Sequence, residues 1–262
     1  MADQQIVLNI NLDGVAVPAT SAAAVCKEIV DLYFAALDKT DLSKKPEDQS
    51  DGKSMKVGFS GLDLTANERR AVHQSWILAR AFQDLMRGVR RSLEEAYFVL
   101  ELTRVGKVRA ATDGTLDDVL RPFRKAANDL NFPNLLAAVN AHLDPHFEFT
   151  DAYQSMQTAR NCLEHRNGIV GKTDAGDDGK LVLQFPRIKV YVERDGGEVE
   201  IFPGMHVEAG TIIMVKTELR RREYTIGQPL IISAVDFDEI AIACSQFGAA
   251  LAQKLSVKLA PK

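Results

Sequence analysis

Residues 149–168 read FTDAYQSMQTARNCLEHRNG. Placed about 100° apart around a helix axis, Phe149, Ala152, Met156, Ala159 and Leu163 fall on one narrow stripe, which must face a core. Arg160 lies at the edge of that stripe, about 60° from Leu163. Asn161 and His165, four residues apart, share the opposite side. Gly168 suits the left-handed position that ends a helix. The spacing predicts a helix over Thr150–Arg166 whose outer side carries Asn161 and His165, covered either by water or by another surface. A second copy of the same helix across a two-fold axis is the economical candidate.

Upstream of this segment the periodicity remains helical. Thr65-Ala66-Asn67-Glu68 is a capping box that opens a helix running to about Arg104, with Gly88 a weak point or a close-packing position. Further helices are expected over Thr115–Leu130 and Asn134–His142. At the N-terminus, Ile6, Leu8, Ile10 and Leu12 alternate with polar residues as in a half-buried strand. Asp13-Gly14 reads as a turn, with Val15 and Val17 on a short returning strand and a helix from Pro18-Thr20-Ser21 to Leu37. Between Asp38 and Lys56 the only large apolar residues are Leu42 and Met55, which reads as a solvated loop.

Downstream the period changes to two. Leu181, Leu183 and Phe185 alternate, then Ile188, Val190 and Val192 on the other parity, with Pro186 expected at a bulge or edge where the parity slips. Asp195-Gly196-Gly197 turns the chain towards a strand at Val199–Phe202. Two more strands are expected at Thr211–Tyr224 and Leu230–Ser233. Asp236, with Glu239 as box partner, is expected to cap a final helix whose apolar face holds Ile240, Ala243, Phe247, Ala250 and Leu251. The fold class is therefore α+β and mainly α: a helical bundle with an appended small antiparallel sheet and a C-terminal helix. It divides into an N-terminal piece (1–40), a loop (41–62), the bundle (63–170) and a strand-rich part with the last helix (171–262), packed together as one unit.

The 262 residues are 46% hydrophobic and 26% charged, ordinary for a globular chain able to build its own core. Cys26, Cys162 and Cys244 are far apart and odd in number, which argues against a disulfide framework or a cysteine zinc site and for a reducing, cytoplasmic setting. The first residues have no basic flank or long apolar run, and no stretch reaches about 18 uninterrupted apolar residues, so no membrane association is expected. The net charge of −4 confines any polyanion site to a local patch. Two such patches exist. Asn67–Arg91 holds six arginines against two acids, and Arg104–Lys125 holds six basic residues against three acids. Lys216 with Arg220, Arg221 and Arg222 reads as a set of edge charges. Trp76, the single tryptophan, is expected in the core.

Arg160-Asn161-x-x-x-His165, near the end of a helix that comes after several others, resembles the Arg-x(4–6)-His motif of the HEPN superfamily. The polar residue directly after the arginine matches as well, and Arg166-Asn167-Gly168-Ile169-Val170 is similar to the segment just past the motif in several bacterial HEPN groups. The resemblance covers about Thr65 to Val170. It implies a HEPN-like bundle that dimerises around the motif helix. Many members are metal-independent endoribonucleases, several of them toxins or antiphage effectors with an antitoxin or other protein partner, while others are non-catalytic dimerisation or binding modules. By this resemblance Arg160, Asn161 and His165 are the catalytic residues. Arg80, Arg87, Arg90, Arg91, Arg166 and Asn167 are then the candidate RNA contacts. The motif offers no metal-ligand set, and no cofactor is implied.

The residue types suit that chemistry. Attack by the RNA's own 2′-hydroxyl needs proton transfer, which histidine performs near neutral pH, and positive charge on the phosphorane, which an arginine fork supplies. On one helix, however, Arg160 and His165 point about 140° apart. A plainer reading pairs Arg160 with Glu164 at i+4 and leaves His165 as a cation near a helix C-terminus. A third reading uses His142, Asp144, His146 and Glu148. These alternate, so in an extended chain they would point one way and hold a divalent metal for a hydrolase. Cys162 reads as a buried thiol behind the motif helix.

Overall fold

A computed structural model describes residues 10–44, 63–106, 115–194, 196–202 and 204–260. The element order is α1 (Asp13–Lys39), α2 (Ala66–Val105), α3 (Leu116–Asp129), α4 (Phe132–Asn140), α5 (Thr150–His165), β1 (Lys180–Arg194), β2 (Gly197–Glu200), β3 (Met214–Thr225) and α6 (Ala234–Leu259). The chain is thus mainly helical with a three-stranded antiparallel sheet, order β2-β1-β3, and a C-terminal helix. The expected loop falls largely on residues 45–62, and Ile6 and Leu8 precede residue 10, so these lie outside the described residues.

Local chemistry sets most boundaries. Thr65 Oγ1 accepts from the Glu68 amide at 3.3 Å while Glu68 Oε2 accepts from the Thr65 amide at 2.9 Å, closing the box at the start of α2. Thr115 and Asp118 do the same for α3, and Asn131 caps α4. At the far end of α5, Asn167 and Gly168 both take left-handed backbone, with φ of 52° and 75°. The Gly168 amide donates to the Cys162 carbonyl at 3.1 Å, so one of the orphan carbonyls of the last turn is satisfied.

The N-terminal expectation is overturned. There is no turn at Asp13-Gly14 and no returning strand: Val15 and Val17 lie in α1, which begins at Asp13 and runs through Pro18. Proline clashes with the preceding turn and lacks an N–H, so it opens the helix there. The opening is closed from outside, because the Ala19 amide donates to the buried hydroxyl of Ser92 on α2 at 3.1 Å. Thr20 Oγ1 donates back to the Ala16 carbonyl at 3.1 Å. The two helices cross closely at this point. A Cβ on Gly88 would stand 2.6 Å from Ala22 Cβ and 2.7 Å from the Pro18 carbonyl oxygen. Neither neighbour is the end of a flexible side chain. Gly88→Ala should therefore lower the melting temperature, even though alanine gains about 1 kcal/mol of helix propensity, since overpacking costs about 1–3 kcal/mol. A melting curve at or above wild type would show that the crossing can open without cost.

The core is one contiguous cluster. It joins α1, α2 and α6 through Ala19, Phe82, Val89, Phe237 and Cys244, and reaches β1 through Leu181, Leu183 and Phe185. By length and composition α6 could cross a membrane, but its apolar side (Phe237, Ile240, Cys244, Phe247, Leu251 and Leu255) is buried in this core. Its cap is Ser233, whose Oγ accepts from the Asp236 amide at 3.0 Å, and not Asp236 as expected. Asp236 instead takes Arg222 of β3, and Glu239 takes Arg220. Two of the supposed edge charges thus fasten the sheet to α6. Trp76 is not in the core but 55% exposed on α2.

No bulge breaks β1, although Val192, on the second parity, is buried as expected. Its register with β3 is unbroken from Lys180↔Thr225 to Tyr191↔Met214, with Pro186 opposite Leu219. What changes at Pro186 is chemistry. The inward series Leu181, Leu183, Phe185 continues to Arg187, which is 9% exposed and surrounded by Glu200, Glu218 and Glu239. The expected strand Leu230–Ser233 is instead an irregular segment, preceded by a single bridge from Pro229 to Ile169.

Candidate functional site

Along α5 the buried side is Ala152, Tyr153, Met156, Ala159 and Cys162, with Phe149 and Leu163 partly buried against it. The outer side leaves His165 exposed and Asn161 half-covered. The division between core stripe and outer face therefore lies where the periodicity puts it, widened by Tyr153 and Cys162.

Glu164 overcomes the angular separation of Arg160 and His165. Its Oε2 pairs with Arg160 Nη2, one helical turn away, and lies 3.7 Å from His165 Nε2. A guanidinium and an imidazole are thereby brought to one carboxylate oxygen at the C-terminal end of α5. Asn161 completes the cluster: its Oδ1 accepts from Arg160 Nη1 at 3.2 Å and from Gln157 Nε2 at 2.9 Å. Arg160 is thus fixed from two sides, and Asn161 orients the arginine. The i,i+4 spacing had already paired Arg160 with Glu164, and the same rule could have found Gln157 with Asn161. The plainer reading is present in this geometry as the Arg160–Glu164 pair; the added element is His165 on the same oxygen.

The next residues build a latch. Arg166 Nε donates to Asp174 Oδ2 at 2.6 Å, and its Nη2 reaches Oδ1 of the same carboxylate. The Gly171 amide donates to Asp174 Oδ2 at 2.9 Å, and the Asp174 side chain is fully buried. Hydrogen bonding to Asp174 pushes the Arg166 pKa up. Arg166 therefore ties the end of α5 to the 171–174 turn, a job that no spacing rule had suggested, since Asp174 lies beyond the helix. Burial, reinforced by nearby Asp174, raises the Cys162 thiol to about 11, so at neutral pH it is a protonated packing group and no nucleophile. Cys26 and Cys244 are likewise free and buried.

The proposed RNA contacts divide. Arg80, Arg87 and Arg91 lie on one exposed stripe of α2, with Arg87 paired to Asp84. Arg90 is built into the fold: it pairs with Glu94 and donates to the Asn128 and Leu130 carbonyls at the end of α3. In the second patch Arg104, Arg121, Arg124 and Lys125 all meet carboxylates, while Lys107 and Arg109 are outside the described residues. α5 is packed against α2, so stripe and motif belong to neighbouring helices.

The extended ligand arrangement of His142, Asp144, His146 and Glu148 is not found. Residues 141–149 turn instead of alternating, and His146 Nδ1 sits 2.9 Å from the Asn140 carbonyl oxygen. Among the described residues no group of three His, Cys, Asp or Glu side chains is placed to hold a metal ion. In comparisons with known protein families, curated proteins and solved structures, nothing matches this chain.

Proposed function

We propose that the protein is a HEPN-like, metal-independent endoribonuclease that works as a homodimer through α5. The observation that carries this reading is the convergence of Arg160 and His165 on Glu164 at the end of α5, with the arginine and the glutamate partly buried and the imidazole exposed. The Arg-x4-His spacing and the left-handed Asn167-Gly168 stop support it.

In this reaction the 2′-oxygen of RNA forms a bond to the neighbouring phosphorus and gives its proton to a neutral imidazole. The 5′-oxygen leaves with a proton from an imidazolium. The products are a 2′,3′-cyclic phosphate and a 5′-hydroxyl, with no redox change and no metal in the balance. A two-fold axis beside α5 would supply both protonation states from two copies of His165. Arg160, oriented by Asn161 and Glu164, would place its remaining N–H groups on the phosphorane. Arg80, Arg87 and Arg91 would hold the backbone of the RNA.

A second reading, a non-catalytic dimerisation or binding module, draws on a specific feature: Arg160 already has a carboxylate and an amide, and Arg166 is committed to Asp174. One experiment separates the two. Purified protein is incubated with structurally diverse RNAs in excess EDTA while light scattering reports its mass. Cleavage to cyclic-phosphate ends by a dimer is expected. Cleavage that stops on chelation and returns with a divalent ion would overturn the metal-independent mechanism. A dimer that cuts no RNA would leave the binding module, and a monomer at micromolar concentration would remove the shared site.

A further inference from the structure

The other end of α5 carries a feature that the motif does not use. Where its first turn, the middle of the sheet and the C-terminal half of α6 meet, a cleft of about 460 Å³ opens to solvent. That volume lies in the range of small-molecule sites, roughly 300–1,000 Å³. Its wall is aromatic. Phe247 lies 4.6 Å, centroid to centroid, from both Phe147 and Tyr153, and Phe149 joins them in the lining. Pro186 and Thr217 close the sheet side.

Two details distinguish this cleft from a packing gap. Phe149 occupies the N-cap position of α5 in left-handed backbone, φ 58°, and provides no side-chain cap. An aromatic residue is unfavourable on both counts, since this position prefers Ser, Thr, Asp or Asn and left-handed backbone prefers glycine. The surrounding fold holds Phe149 there, and with it one wall of the cleft. Such strained positions gather at ligand clamps. The second detail is Lys254. It is half-buried at the cleft, its Nζ is held by the Pro145 carbonyl at 3.1 Å, and among the described residues it has no carboxylate partner. An ammonium without a carboxylate partner at the mouth of an apolar cleft is free to make a charge-assisted contact with a ligand anion. Glu148, also in the lining, is exposed, so water already solvates it.

We propose that this cleft binds a small amphipathic carboxylate, its apolar ring or short alkyl chain held among the four aromatic side chains and its carboxylate on Lys254. Specificity then has two parts. The aromatic wall selects apolar bulk with little regard to shape, and Lys254 selects the negative charge. The site stands on different residues from the motif, so it is tested without reference to RNA cleavage.

The test is calorimetric titration of the full chain with octanoate and 3-phenylpropionate, beside neutral octanol and cationic octyltrimethylammonium, all below micelle formation. The two carboxylates should bind saturably, one per chain, and raise the melting temperature. Octanol should bind at least about tenfold more weakly, and Lys254→Gln should bring octanoate down to the octanol level. Ala250→Trp, which places bulk in the cleft, should abolish binding of both while circular dichroism shows the wild-type fold. Lys254→Gln, a change at a half-exposed side chain, remains decisive if Ala250→Trp fails to fold. No saturable binding of either carboxylate at millimolar concentration would overturn the proposal. So would equal binding of octanoate and octanol with no effect of Lys254→Gln. Preference for the ammonium would overturn it as well, and would assign the cleft to cations through Glu148.

Discussion

His165→Ala is expected to lower the rate of RNA cleavage by about 10²–10⁴-fold, the usual contribution of a positioned proton-transfer group. The melting temperature should stay within the small range of surface substitutions, because His165 has 60% of its side chain exposed and none of the core leans on it. Arg160→Lys should also impair cleavage. Lysine keeps the charge but loses the planar fork that can bond Asn161 and a phosphorane at once. Affinity for RNA should hardly change in either variant. Removing the charge at Arg87 or Arg91 should do the reverse, weakening binding and its salt dependence while turnover at saturation persists. Arg90 is expected to differ from its neighbours and to lose stability, because its guanidinium holds the end of α3. Single-turnover rates, filter binding and melting curves on this set of variants make the comparison. Wild-type rates for both His165→Ala and Arg160→Lys would remove the catalytic assignment. A large stability loss in His165→Ala would make the histidine structural.

The largest effect on stability is expected at Arg187, away from the motif. Arg187 Nε donates to Glu218 Oε1 at 2.9 Å and Nη2 donates to Glu200 Oε2 at 2.9 Å, while Glu239 Oε1 lies 3.6 Å from Nη1. Arg187→Met would leave partly buried Glu200 without its ion-pair partner, beside Glu218 with Lys189 and Lys216 at 3.9 Å and Glu239 on Arg220. Breaking a buried ionic cluster in this way costs about 3–5 kcal/mol, or on the order of 10 °C in melting temperature for a chain of this size. The pH dependence has a definite sign. Hydrogen bonding from Arg187 holds Glu200 below its usual 4.5. A depressed folded-state value contributes stability that is complete above about 4.5 and is lost as the pH falls through the folded value. Wild type should therefore lose stability as the pH drops below about 4.5. In Arg187→Met, protonation neutralises the unpaired Glu200, and the gap to wild type should narrow over the same interval. A variant that melts with wild type at neutral pH, or a gap that widens with acid, would show that the glutamates find other partners or water.

Features whose causes lie within a turn or two of chain could be read from the residues alone. The box at Thr65–Glu68 started α2, the alternation Leu181–Leu183–Phe185 gave one face of β1, and the stripe from Ala152 to Leu163 oriented α5. The stop at Gly168 was legible because only a residue tolerant of positive φ fits there. The i,i+4 geometry likewise placed Arg160 with Glu164, and the same spacing, unread in the sequence, joins Asn161 to Gln157. Features that depended on a partner far along the chain were settled only by folding. Ser92, 73 residues from Ala19, let α1 run through Pro18 where local rules read a turn and a strand. Glu200, Glu218 and Glu239 allowed Arg187 to continue an inward face that looked as though it had slipped at Pro186. Asp236 and Glu239 turned surface arginines of β3 into the sheet's attachment to α6, and buried Asp174 converted Arg166 from a candidate RNA contact into a latch. Each buried charge or opened backbone group is stable only when a complementary group arrives, and periodicity records where a side chain points but not what folding brings to meet it.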